Sequence, residues 1–131
     1  MGKYREVFLE EAAEHLAEMS RALLELEKDP AHAESIDLLF RMAHSIKGMA
    51  ASLGYTSITD VSHRFEDRMQ LLRSGQIHLD TSEFAHLFRA LDALEGMIDS
   101  VRRTGMAPTD AAITVGSPSA EAPWEGLQKK A

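Results

Sequence analysis

The stretch FRMAHSIKGMAASLGY, residues 40–55, carries the pattern that decides the fold. Its apolar residues recur at the three- and four-residue spacing of an amphipathic helix. Gly54 ends the pattern, because glycine adopts the left-handed backbone of a helix C-terminus without a steric penalty. Projected at about 100° per residue, Ile46 and Ala50 lie at the centre of the apolar stripe and His44 lies far outside it. We therefore expect His44 to point outward from a helix that packs into a core.

The same periodicity continues on both sides of this stretch and predicts three more helices. Capping signals, glycines and the KDPAH turn that follows the first helix set the boundaries. The predicted helices run over about 3–28, 33–53, 57–74 and 80–104. The last two are predicted to start with capping boxes, at Ser57–Asp60 and Asp80–Glu83. Short connections make successive helices antiparallel neighbours, so the sequence predicts an all-α, up-down bundle of four helices.

This bundle is predicted to occupy residues 1–105, and residues 106–131 differ in kind. Residues 106–123 contain three prolines and no lasting apolar periodicity, which is typical of a linker. Trp124, in the terminal WEGLQKKA, leaves two alternatives: a short fifth helix near residues 124–130 docked on the bundle, or a solvent-exposed tail. We interpret the whole segment as a linker or tail towards the rest of a longer protein.

Composition excludes several classes of function. The 131 residues include no cysteine, which excludes disulfides, thiolate zinc sites and cysteine nucleophiles. A formal charge of −7 leaves no basic stripe for a phosphate backbone, so nucleic acid is not an expected partner. No apolar run approaches the roughly 20 residues of a membrane span, and the start lacks the apolar region of a secretory signal. The expectation is a cytoplasmic, monomeric domain without a membrane partner.

Two residues beside His44 suggest that its exposure has a use. Gly48 lies one turn further along the same face, where glycine costs about 1 kcal/mol of helix stability relative to alanine. The missing side chain leaves room for a second molecule to reach the imidazole. Lys47 lies between this face and the edge of the core, where its ammonium group can approach an arriving anion.

The third helix presents His63 and Glu66 on a face that points away from its apolar stripe. Counted from the turn near Tyr55, His44 and Glu66 lie at nearly the same height in an antiparallel hairpin that rises about 1.5 Å per residue. A carboxylate level with an imidazole can hold one ring N–H and stabilise positive charge on the ring, while the other nitrogen keeps its lone pair outward. The pattern predicts a nucleophilic histidine site.

Beyond these patterns, the opening stretch resembles the phosphorylation-site helix of histidine-containing phosphotransfer (HPt) domains, especially those of CheA-type chemotaxis kinases. In that family HSIKG follows a Phe-Arg element, as at residues 40–41, and precedes a Gly-aromatic pair, as at residues 54–55. The next helix carries a histidine and, three residues later, a glutamate, as SHRFEDRM does at residues 62–69. The resemblance covers about residues 4–104 and implies an HPt-like fold.

The resemblance also implies a role for each candidate residue. His44 would be the phosphoacceptor through Nε2, Glu66 would orient the imidazole through Nδ1, and Lys47 would position the phosphoryl group. His63 would tune the site, and Gly48 would give access to it. No metal and no cofactor are expected in this chain.

The implied partners are the ATP-binding catalytic domain of a CheA-type kinase, which phosphorylates the histidine, and receiver domains of the CheY or CheB kind, whose aspartate takes the group over. ATP and Mg²⁺ belong to the kinase domain, and a further Mg²⁺ belongs to the receiver. The resemblance implies that the chain is part of a histidine kinase. Because it has no glycine-rich nucleotide box and no Asn-rich kinase motif, we expect that it does not phosphorylate itself.

Two other classes of protein stay open on the sequence. Glu83–His86 matches, and Asp60–His63 approaches, the ligand spacing of di-metal helical bundles, although both histidines are predicted to point outward rather than into a core. The second alternative is a docking module that keeps the HPt fold as a binding surface without phosphorylation. Loss of the acceptor histidine would be its sign, and His44 is present.

Overall fold

The computed structural model describes residues 2–107, and within that range the chain forms four α-helices: α1 (Gly2–Lys28), α2 (Ala33–Leu53), α3 (Thr56–Arg73) and α4 (Thr81–Thr104). Each helix packs against its neighbour in the chain, and α1 also packs against α4, so the bundle closes on itself. The predicted all-α, up-down architecture is confirmed. The predicted linker begins at residue 106. Its residues from 108 onward, together with the predicted fifth helix, lie outside the described residues.

The turn between α2 and α3 sets the geometry of the later site. Gly54 has a φ of 80°, in the left-handed region where glycine is favoured, and its N–H donates to the carbonyl of Ala51. The N–H of Tyr55 donates to the carbonyl of Ala50 at 2.9 Å. Because only two residues separate the helices, α3 runs back along α2 and the middles of the two helices lie side by side.

The start of α3 differs from the sequence prediction. The helix begins at Thr56, its N-cap is Tyr55, and no side chain caps it. Ser57 is therefore already inside the first turn, where it is buried. Because the turn has only two residues, the observed N-cap lies two residues before the predicted one, and Ser57 cannot stand outside the helix as a capping residue.

The start of α4 follows the prediction in part. The carboxylate of Asp80 accepts a hydrogen bond from the N–H of Glu83 at 2.8 Å, as an N-cap does. The Glu83 carboxylate does not return to Asp80. It accepts hydrogen bonds of 2.8 and 3.1 Å from the guanidinium of Arg68 on α3, and both side chains are buried. The second half of the predicted capping box is thus replaced by an ion pair between two helices.

The apolar stripes of all four helices meet in one core. Its large, fully buried side chains include Phe8, Met19, Leu23, Leu26, Leu39, Ile46, Ile58, Phe65, Met69, Leu87 and Leu94. Among residues 2–107, no helix is both long enough and apolar enough to cross a membrane. The core leaves the outer face of the α2–α3 pair free to carry polar side chains.

Candidate functional site

His44 lies on the outer face of α2, and its side chain is 64% exposed. Its Nδ1 is 2.6 Å from Oε2 of Glu66, on the neighbouring helix α3. No group within residues 2–107 is hydrogen-bonded to Nε2. The imidazole is therefore held from one side and open to solvent on the other.

Glu66 contacts two side chains of α2. Its Oε2 faces His44, and its Oε1 lies 2.7 Å from Nζ of Lys47. Burial raises the pKa of Glu66, but the hydrogen bonds and positive charge of Lys47 and of His44 together outweigh it, so the pKa is below the usual value. Glu66 is therefore ionised near neutral pH. An ionised carboxylate can only accept, so Nδ1 donates to Oε2, and in the neutral form of the ring the free lone pair is therefore on Nε2.

The burial of Glu66 was not predicted. The angular count along α3 places this residue on an outward face, whereas the residue is only 8% exposed. The side chains of His44 and Lys47 reach across from α2 and contact both oxygens of the carboxylate, which places it between the two helices. Burial strengthens both contacts, because charges interact more strongly away from water.

Lys47 is more constrained than the sequence indicates. Its side chain is 27% exposed, and its ammonium group is paired with Glu66 rather than free at the surface. It compensates the charge of the carboxylate that orients His44. Whether it also positions a phosphoryl group stays a prediction.

Gly48 lies one turn beyond His44 and is exposed. A Cβ atom built on Gly48 would have no heavy atom within 4 Å, so nothing inside the bundle requires glycine here. The open surface beside the imidazole is consistent with the predicted access for another molecule.

His63 is not part of the contact between His44, Lys47 and Glu66. It is exposed one turn before Glu66, and its Nε2 lies 3.7 Å from Oδ1 of Asp67 on its own helix. A tuning role for His63 stays a prediction, without a direct contact in its support.

Sequence reasoning missed two polar contacts that flank the site. Nε2 of His15, on α1, lies 3.2 Å from Oγ of Ser45, the residue after His44. These residues are 30 positions apart in the sequence, so no local sequence pattern predicts the contact. Asp37 accepts hydrogen bonds from Arg41 and from Arg73 of α3. The i, i+4 spacing of Asp37 and Arg41 was a signal that could have revealed the first of these pairs.

The spacing that suggested a di-metal centre has another explanation. Both oxygens of Glu83 bind Arg68, and Nδ1 of His86 donates to the carbonyl of Ser82 at 2.7 Å. The described part of the chain, residues 2–107, holds no group of three or more acidic or histidine side chains that could hold a metal ion. Glu83 is thus engaged in an ion pair and is not available as a ligand.

Comparison with known proteins connects this geometry to a family. The family model described as "Hpt domain" matches residues 3–104, which include all the residues of the site. The chain belongs to the Hpt domain family. The motif that resembled HPt domains in sequence is therefore part of a match that extends over nearly all of the four helices.

Curated relatives of this Hpt domain include chemotaxis proteins of the CheA kind. It is 39% identical over 101 residues to the chemotaxis protein CheA of Bacillus subtilis and 33% identical over 117 residues to CheA of Halobacterium salinarum. These alignments cover 77% and 89% of the chain, but only 15% and 18% of the two relatives. The chain thus corresponds to a small part of a CheA protein.

Solved structures agree. The CheA phosphotransferase domain from Thermotoga maritima superposes with a TM-score of 0.72 at 32% sequence identity, over 76% of this chain and 95% of that one. The P1 domain of CheA3 from R. sphaeroides gives a TM-score of 0.85 over the whole of both chains. At 21% identity the second likeness concerns the fold alone.

Proposed function

We propose that this Hpt domain carries phosphoryl groups in a CheA-type chemotaxis kinase. His44 takes the group from ATP bound on a separate catalytic domain and passes it to an aspartate of a response-regulator receiver domain. The observation that carries the proposal is the contact between Nδ1 of His44 and Glu66, because it leaves Nε2 exposed and without a hydrogen-bond partner among residues 2–107, and places the lone pair of the neutral ring on that nitrogen.

In the first transfer the lone pair of Nε2 attacks the γ-phosphorus of ATP. A bond forms between Nε2 and phosphorus, the bond from phosphorus to the bridging oxygen breaks, and ADP leaves. The imidazole ring gains positive charge in this step. Ionised Glu66 stabilises that charge through the 2.6 Å contact with Nδ1, and it is already in place before the reaction.

In the second transfer a carboxylate oxygen of the receiver attacks the same phosphorus. The bond between nitrogen and phosphorus breaks, its electron pair returns to Nε2, and the ring becomes neutral again. Both steps need an in-line approach to one exposed nitrogen. The exposure of His44 and the open surface over Gly48 meet that requirement.

The proposed partners follow from this chemistry and from the relatives. Receiver domains of the CheY or CheB kind are the acceptors, and the complex of phosphorylated P1 of CheA3 with CheY6 from R. sphaeroides supports this choice. The catalytic domain of a CheA-type kinase is the donor, with ATP and Mg²⁺ bound there, and Mg²⁺ at the receiver. We place the relay in the cytoplasm, where ATP and such receivers meet.

The test is phosphate incorporation from labelled ATP with a CheA catalytic fragment. We expect acid-labile, alkali-stable label on the native protein and on the control variant His78→Gln, and none on His44→Gln. His78 is an exposed residue of the α3–α4 loop, so its substitution leaves the site intact. Phosphorus NMR should identify phosphorus on Nε2, and a receiver domain should remove the label.

The same variants separate this function from that of a docking module. A module that only binds would have equal activity with and without His44. Label on both the native protein and His44→Gln would contradict the assignment of the acceptor.

A further inference from the structure

Arg41 shares the exposed face of α2 with His44, one turn before it. Its side chain is 60% exposed, and its Nε donates to Oδ2 of Asp37 at 2.9 Å. The other oxygen of Asp37 accepts a hydrogen bond of 3.0 Å from Arg73 of α3. Two guanidinium groups therefore share one carboxylate, and this surface keeps one excess positive charge close to the proposed phosphoacceptor.

The two arginines are held differently. Arg73 also lies over the ring of Phe40, with its guanidinium carbon 4.2 Å from the ring centroid, so stacking fixes it in addition to the ion pair. Arg41 is held by the single i, i+4 contact with Asp37. An exposed pair of this kind is weak, and an arriving anion can replace the carboxylate at little cost.

The orientation of the imidazole determines which cation a phosphoryl group meets. The two ring nitrogens lie on opposite sides of the imidazole, and Nδ1 faces Glu66, so Nε2 points away from Glu66 and from the Lys47 ammonium bound to it. Arg41 and Lys47 are each three residues from His44, and the helix places them about 60° to either side of it. Arg41 is thus the exposed cation on the side that the Glu66–Lys47 pair does not occupy.

We infer that Arg41 is a further catalytic residue of the transfer: its guanidinium leaves Asp37 and binds oxygens of the phosphoryl group on Nε2. The inference rests on the proposed function and deepens it. A guanidinium suits this role, because its planar set of donors matches the oxygens of a phosphoryl group and it stays charged at every physiological pH. Asp37 acts as the resting partner that holds Arg41 at the surface between transfers.

The chain offers a closely matched control in Arg103 of α4. Its Nε donates to Oδ2 of Asp99 at 2.8 Å in the same i, i+4 relation, and its side chain is 67% exposed. Asp99 also forms an ion pair with a second arginine, Arg102, just as Asp37 forms one with Arg73. Arg103→Gln therefore removes the same kind of surface contact on a different helix from His44.

The experiment measures phosphorylation of the 131-residue protein by a CheA catalytic fragment and transfer from the phosphorylated protein to a receiver domain. We expect Arg41→Gln to lower kcat for transfer about tenfold, the effect of losing one charge-assisted hydrogen bond in the transition state, with little change in the KM for the receiver. Arg41→Lys should restore part of the rate. Arg103→Gln should stay within twofold of the native protein, and all these variants should melt within a few degrees of it.

A second arm tests the role of Asp37. Because Asp37→Asn releases Arg41, we expect transfer at least as fast as in the native protein. Equal losses in Asp37→Asn and Arg41→Gln would overturn the inference, because they would show that the ion pair matters only as a structural unit. A rise in KM with unchanged kcat would also overturn it, since Arg41 would then contact the receiver and not the phosphoryl group.

The experiment distinguishes an error in this inference from an error in the proposed function. If Arg41→Gln and Arg103→Gln transfer equally fast, Arg41 has no role and His44 remains the acceptor. If no protein in the series takes up label at His44, both proposals are wrong.

Discussion

Replacing Glu66 with glutamine removes the negative charge between His44 and Lys47 and keeps a side chain of nearly the same volume. The amide oxygen can still accept the N–H of His44, so the tautomer and the ring orientation are retained. The stabilisation of positive charge on the ring is lost. Glu66→Ala removes the orientation as well, so the two variants separate the electrostatic role of the carboxylate from its positioning role.

The size of each effect follows from the geometry. Residues that orient a metal-binding imidazole typically contribute 10- to 100-fold in affinity or activity, and we apply the same range to the nucleophilic imidazole of His44. Because His44 is 64% exposed and water partly screens its charge, we expect Glu66→Gln near the lower end, about tenfold slower phosphorylation. Glu66→Ala should be slower still, but activity should remain, because the nucleophilic nitrogen is intact.

The same substitution affects folding stability through Lys47. Breaking a fully buried ion pair costs roughly 3–5 kcal/mol, but the side chain of Lys47 is 27% exposed and its ammonium group can turn to water. We therefore expect a loss of about 1–2 kcal/mol for Glu66→Gln, which lowers the melting temperature by roughly 5–15 °C in a domain of this size.

The assay combines initial rates of phosphorylation, thermal melting and the ¹⁵N chemical shifts of the His44 ring. Glu10→Gln, an exposed position on α1, is the control and should change none of them. An unchanged phosphorylation rate in Glu66→Gln, together with unchanged ring shifts in Glu66→Ala, would refute the reasoning, because it would show that Glu66 neither stabilises nor orients the ring.

Three other predictions concern pH, helix stability and the buried ion pair. The pKa of Glu66 is lower in the folded than in the unfolded chain, so its ionised form stabilises the fold fully above the ordinary value of 4.5. This stabilisation is lost as pH falls through the folded pKa. The melting temperature should therefore fall more steeply from pH 7 to pH 3 for the native protein than for Glu66→Gln. Gly48→Ala should raise stability by up to about 1 kcal/mol, since the new methyl group meets open space, whereas Gly48→Leu should slow phosphorylation several-fold without unfolding the domain, as kinetics and melting would show together. Arg68→Met should cost roughly 3–5 kcal/mol in denaturant unfolding because it leaves Glu83 buried without its partner, and the double variant Arg68→Met/Glu83→Leu should recover most of that loss; equal stability of the single and double variants would contradict this explanation.

Helix boundaries show which structural features local sequence predicts well. The limits of α2, 33–53, agree with the prediction because apolar periodicity and a glycine in the left-handed region act within one helix. The predicted start of α3 was wrong, because the length of the turn before the helix, and not the capping propensity of Ser57, decides where the helix begins. The ion pair of Arg68 and Glu83 was also missed, because it joins residues of two helices.

The features of the site also divide into those that local sequence predicts and those that depend on contacts between helices. The sequence by itself determined that His44 is exposed on α2, that Glu66 lies level with it on α3, and that Gly48 leaves space beside it, since each follows from helix geometry and one short turn. Only the tertiary structure decided that Glu66 is buried, that its second oxygen belongs to Lys47, and that His63 turns to Asp67 instead. The physical reason is that helical periodicity gives the direction of a side chain from its own axis, whereas burial and pairing depend on the distance between helices and on the rotamers that reach across it.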